Sequence, residues 1–157
     1  MIYFTSFVFT LLLAHVARAV PAFGDVSSPR ELSYEQPSYK VTWDATYDNP
    51  EGNTNSVACS NGPYGLADKY PHFKNFPDFP YLGGAFDTKF GSPNCGKCWK
   101  LVNHKTRRLI YFTAIDAAGS GFNIGKEAFI DLNGGEIGAG TLDAEATSVA
   151  GHFCGFK

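Results

Sequence analysis

Cys95 and Cys98, in the run Ser92-Pro93-Asn94-Cys95-Gly96-Lys97-Cys98-Trp99, are the first residues whose spacing permits chemistry. A C-x-x-C pair serves as a redox couple, as half of a zinc site, or as two adjacent anchors for separate bridges. The remaining cysteines, Cys59 and Cys154, flank the pair at long distance on either side. Asp116 is the second candidate. It follows the apolar run Arg108–Ile115 and precedes Ala117-Ala118-Gly119-Ser120-Gly121. A carboxylate at a strand end beside a flexible loop is either a ligand contact or a turn cap. Were it an acid for inverting glycoside hydrolysis, a second carboxylate would have to act as base across the bond. Asp44 and Asp48 are the candidates for that partner, and spacing alone does not set their separation. Sugars present hydroxyls at the ring edge and C–H groups on the face, so their sites combine polar side chains with flat aromatics. Asp44, Tyr47, Asp48, Asn94 and Asn123 suit the first role; Tyr47, Tyr64 and Trp99 suit the second. Each has a plainer alternative. The asparagines suit turns, and Trp99, beside a cysteine and opening a strand, suits the core.

The compartment decides among the cysteine readings. Residues Ile2 to Ala14 are nearly all apolar, a run too short for a comfortable membrane span. Ala17-Arg18-Ala19 follows, with the A-x-A pattern of a signal-peptide cleavage site. The expectation is a signal peptide over 1–19, a soluble product without a membrane span, and secretion to the extracellular space or cell wall. In an oxidising destination four cysteines read as two disulfides, for which the sequence permits three pairings. A thioredoxin-like couple needs a βαβ context that is missing here. A zinc site needs further ligands, and His72, His104 and His152 offer no second C-x-x-C or H-x-H pattern. No metal and no cofactor is expected. With 18% charged residues and a formal net charge of −2, the chain lacks the basic balance that nucleic-acid binding requires.

The elements that would position these residues are mostly short strands. Val20 to Ser38 is rich in Pro and Ser without apolar periodicity and reads as a flexible leader or pro-segment. The folded part is expected over 39–157. Lys40–Asp44 alternates, placing Val41 and Trp43 on one face of a strand. Asn49–Asn53 and Asn61–Pro63 are turns by composition. Ser56–Cys59 reads as a short strand, and Leu66–Tyr70 as one or two helical turns stopped by Pro71. Phe73–Tyr81 is irregular and aromatic; burial is its expected fate. Lys100–Val102 precedes an Asn103-His104 turn. Arg108–Ile115 is apolar on both faces from Leu109 onward and is expected to be a central strand. Phe122–Ile124 returns to extended structure, Lys126–Leu132 is the best helix, and Leu142–Val149 is the last strand. Short strands, Gly-rich turns and one or two short helices predict a mainly β barrel or sandwich.

The stretches Trp43-Asp44-Ala45-Thr46-Tyr47-Asp48-Asn49, Val57-Ala58-Cys59-Ser60-Asn61-Gly62, Gly65-Leu66 and Leu82-Gly83-Gly84 carry a specific resemblance, together with Ser92–Trp99 and Thr113–Ile124. From about Tyr39 to the C-terminus the chain resembles the cerato-platanins, small secreted fungal proteins. The resemblance implies a six-stranded double-psi β-barrel, related to the first domain of expansins, with disulfides Cys59–Cys95 and Cys98–Cys154. It also implies binding of chitin-type (N-acetylglucosamine) oligosaccharides, wall loosening without hydrolysis, and elicitor activity toward plants through a cell-surface receptor. It matches Asp116 to the acid position shared with expansin-like barrels, and we assign this residue to sugar recognition, with no catalytic residue. The competing expectations are a weak glycoside hydrolase or lytic transglycosylase using Asp116, and a surface-active protein that self-assembles through exposed aromatics; a monomer is expected otherwise. The Pro/Ser leader and the basic Lys105-Arg107-Arg108 segment depart from the family pattern.

Overall fold

The computed structural model describes residues 37–157. The expected signal peptide and nearly all of the expected leader lie outside the described residues. Ser38, placed by composition in the leader, instead opens the first strand. The strands are β1 (Ser38–Trp43), β2 (Leu82–Ala85), β3 (Cys98–Asn103), β4 (Arg108–Ala117), β5 (Phe122–Ile124) and β6 (Thr141–Val149). One helix, α1 (Lys126–Leu132), lies between β5 and β6. The six strands close into a barrel in the order β1-β5-β2-β4-β3-β6, with β6 pairing back onto β1. Two pairs, β1/β5 and β2/β4, are parallel; the other four are antiparallel. Closure leaves no free sheet edge in the barrel.

Period-two alternation fills the interior. Val41, Leu101, Ile110, Phe112, Phe122 and Ile124 are buried in one cluster, with Trp43 packed against it. Helix α1 adds Ala128, Phe129 and Leu132, the i, i+1, i+4 stripe of a helix laid on a core. Trp99 is buried among them, as its place beside Cys98 suggested. A second cluster, Tyr47, Val57, Phe73, Phe76, Leu82 and Ile115, lies between the sheet and the long excursion joining β1 to β2. It explains why β4 is apolar on both faces near its end. Its beginning is not: Leu109 is 52% exposed, contrary to expectation, because no described segment covers that part of the strand.

The excursion is held without strands. Ser56–Cys59, expected as a strand, is the end of a 3₁₀ turn (Thr54–Ser56) followed by a bend at Val57 and a turn at Ala58 and Cys59. Here Asn53 caps the turn by accepting from the Asn55 N–H, so local side-chain bonding replaces a ladder. Leu66–Tyr70 forms a single turn closed by the Tyr70 N–H on the Leu66 carbonyl. Phe73 and Phe76 are buried, while Phe79 and Tyr81 are half-buried. Disulfide Cys59–Cys95 pins the excursion to the loop before β3, and Cys98–Cys154 ties the C-terminus to the start of β3. These are the pairings implied by the resemblance.

Candidate functional site

Asp116 owes its orientation to a break in strand register. β2 and β4 pair Gly83 with Ala114 and then Gly84 with Asp116, passing over Ile115. Such a bulge re-aims the side chain that follows it. The carboxylate then meets three donors. Oδ2 accepts from the Tyr47 hydroxyl at 3.0 Å; Oδ1 accepts from the Ala58 N–H at 2.9 Å and the Ala117 N–H at 2.8 Å. Every partner is a donor, so the carboxylate works here as an acceptor. β4 also continues one residue past Asp116, which is thus within the strand and not at its tip.

Across the barrel wall the register lines up Thr42 on β1, Asn123 on β5, Gly84 on β2 and Asp116 on β4. The Thr42 hydroxyl donates to Asn123 Oδ1 at 3.0 Å. Among the described residues, the Asn123 Nδ2 group has no acceptor. Gly84 is the low point of this row. A Cβ there would come within 2.8 Å of the Ala117 carbonyl oxygen, so β2 and the end of β4 approach too closely for a side chain. We term this polar row, with an amide on one side of Gly84 and a carboxylate on the other, the trough.

The remaining candidates take different places. Tyr47 is only 5% exposed, so its ring is core and only its hydroxyl serves the trough. Burial, reinforced by the Asp116 carboxylate, pushes its phenol well above the ordinary range. Asp44 is exposed at the end of β1 and caps the 3₁₀ turn Ala45–Asp48, accepting from the Thr46 N–H at 2.8 Å. That bond holds its carboxyl below the usual value. Its own N–H donates to the Ile124 carbonyl, next to Asn123, so Asp44 belongs to the rim of the trough. Asp48 accepts from the Lys126 and Glu127 N–H groups at 2.8 and 3.1 Å. It is the N-terminal cap that Gly125 cannot supply to α1. Asn94 donates to the Asp87 carbonyl at 2.8 Å and organises its own loop. It adjoins Cys95, whose bridge to Cys59 leads to Ala58 and so to Asp116. Tyr64 is half exposed on the excursion.

Three contributors to the trough escaped sequence reasoning: Thr42, Gly84 and the Ala58 N–H. Thr42 had a readable signal, as the polar, outward position between Val41 and Trp43. Gly84 and Ala58 act through backbone, which sequence pattern does not mark. No group of acidic, His or Cys side chains suited to hold a metal occurs among the described residues.

The family model for cerato-platanin matches residues 39–156, and the chain belongs to that family. The allergen Asp f 15 of Aspergillus fumigatus is 38% identical over 128 residues, covering 81% of this chain and 83% of the relative. The crystal structure of cerato-platanin 2 from M. perniciosa superposes with a TM-score of 0.71 at 39% identity, over 76% of this chain and all of that one. The solution structure of the fungal elicitor cerato-platanin gives 0.68 at 34% identity, over 73% and 95% of the two chains.

Proposed function

We propose that this cerato-platanin is a secreted, non-catalytic protein that binds chitin-type, N-acetylglucosamine-containing oligosaccharides in the trough between Asn123 and Asp116. The observation that carries the reading is the polar row Thr42–Asn123–Gly84–Asp116 across four strands, floored by a glycine. A carboxylate already held by three donors is a rigid acceptor for a sugar hydroxyl, and an amide without an acceptor among the described residues is a donor for the acetamido oxygen or a second hydroxyl. Shallow, solvent-open contact of this kind suits competition for hydrogen bonds between polysaccharide chains, which loosens a wall without cleaving it. Both Asp48 oxygens are taken by α1 and Asp44 is occupied with its own turn, which favours recognition over acid–base chemistry. Secretion accords with the expected signal peptide and with two disulfides. Among the described residues no helix is long and apolar enough to cross a membrane. Likeness to the fungal elicitor cerato-platanin extends the reading to recognition by a plant cell-surface receptor.

An NMR titration with N-acetylglucosamine oligomers tests this. Shifts are expected at Thr42, Ala58, Gly84, Asp116 and Asn123, and Asp116→Asn should weaken binding about tenfold with the folded spectrum retained. Absence of shifts there, or release of reducing ends that Asp116→Asn abolishes, would replace the binding reading with none or with an enzyme. A second reading, surface activity, rests on Phe90 and Tyr64, which are 63% and 50% exposed. Film formation that Phe90→Ser abolishes and oligosaccharide leaves unchanged would support it.

A further inference from the structure

A different hollow opens on the β4 side of the barrel, between the end of the excursion and the C-terminus. Asp78, Phe79, Tyr81, Tyr111, Asp131 and Phe153 line it. Tyr111 and Phe153 stack with centroids 5.0 Å apart and planes 18° from parallel. Phe153 is 48% exposed and Leu109, at the margin, 52%; they are two of five large apolar side chains left exposed among the described residues. Such a pair of uncovered apolar groups around a concavity marks a contact site.

The charged side chains among its described lining residues are both carboxylates. Asp78 lies at the floor, its Oδ2 accepting from the Thr113 hydroxyl at 2.6 Å and its Oδ1 buried with no hydrogen-bond partner among the described residues. Asp131 accepts from the Tyr81 hydroxyl at 3.1 Å. Among the described residues no basic side chain lines the hollow. Arg108 Nη1 lies 3.7 Å from Asp131 Oδ1, and the His152 ring lies 4.3 Å from that of Phe153; neither residue is part of the lining. A buried carboxylate without a cationic partner is costly, and a cation placed above it offsets that cost. Aromatic faces attract cations as well as C–H groups.

We propose that this hollow binds a protonated amino sugar, as found in deacetylated, glucosamine-type polysaccharide. The ammonium group faces Asp131 above the buried charge of Asp78, and the C–H face of the ring lies against the exposed Phe153–Tyr111 stack. This site is separate from the trough at Asp116, and its ligand differs in charge from an N-acetylated chain.

The test is an NMR titration of the full chain with a glucosamine tetramer and, in parallel, an N-acetylglucosamine tetramer and tetralysine, all at neutral pH. Shifts at Leu109, Tyr111, Asp131 and Phe153 are expected with the glucosamine tetramer. Phe153→Ala and Asp131→Asn should each weaken that binding about tenfold, and Asp116→Asn should leave it unchanged. Phe153 and Asp131 are at the surface, so both variants should keep the folded spectrum. No shifts in the hollow, equal binding of the N-acetylated tetramer there, or equal binding of tetralysine would each overturn the proposal. Loss of binding in Asp116→Asn with none in Phe153→Ala would assign the sugar to the trough instead.

Discussion

At the scale of single residues, Tyr47 contributes to the trough through one oxygen. Its ring is core, and the hydroxyl fixes Asp116 Oδ2. Tyr47→Phe should therefore cost about 1 kcal/mol in urea unfolding, the usual net worth of such a bond. It should also lower oligosaccharide affinity, because Asp116 loses one of its three anchors. Sequence showed Tyr47 as a plausible sugar contact but not its burial, since the segment covering it, including Phe73, is more than twenty residues further on. Asp78 yields a pH prediction. Burial pushes its carboxyl up to about 6, against 3.8 unperturbed. Between these values the folded state holds a proton that the unfolded state has released. Stability conferred by the protonated form is thus present at low pH and lost as pH rises through about 6. The loss amounts to something on the order of 3 kcal/mol by neutral pH. Thermal unfolding of Asp78→Asn should show a higher midpoint than the parent at neutral pH and little difference near pH 4; an equal shift at both would show that the charge is irrelevant. The Thr113 bond, which opposes the shift, is retained by the asparagine carbonyl.

Among elements, strands were legible where alternation has one cause and illegible where it has two. β1 alternates because one face meets the core and the other meets solvent, and β6 follows the same rule. β4 is apolar on both faces near its end because it separates two clusters, and that pattern hides the bulge at Ile115 that aims Asp116. The family resemblance, more than periodicity, therefore pointed to Asp116. Helix α1 was legible over its full span, but its start was not. Gly125 offers no capping side chain, and the cap arrives from Asp48, seventy-eight positions earlier in the chain. Asp48→Ala should thus destabilise the protein by about 1 to 2 kcal/mol in chemical unfolding, the range for a lost N-cap. It should leave oligosaccharide affinity within about twofold. A large affinity loss with unchanged stability would return Asp48 to the binding site.

For the whole molecule, the two disulfides divide the labour. Each closes a long loop, 36 residues for Cys59–Cys95 and 56 for Cys98–Cys154, and the chain-entropy account gives about 4 kcal/mol for each. Global stability should therefore fall by similar amounts when either pair is replaced by alanine. Local consequences should differ. Cys59 adjoins Ala58, whose N–H holds Asp116, and its bridge is the covalent link between the excursion and the loop before β3. Cys154 adjoins Phe153, and its bridge fixes the C-terminal 3₁₀ turn (Gly151–Cys154) against β3. Removing Cys59–Cys95 should loosen Ala58 and Tyr47 and so weaken N-acetylglucosamine oligomers at the trough. The stack of Phe153 on Tyr111 should persist in that variant. Removing Cys98–Cys154 should reverse the pattern, releasing Phe153 while Asp116 keeps its three donors. Amide hydrogen exchange on the two double-alanine variants would map each opening, and parallel titrations would show which ligand each variant loses. If either cut weakened both ligands equally, the barrel would be acting as one cooperative unit, with each bridge serving the closed wall as a whole and neither serving a particular site.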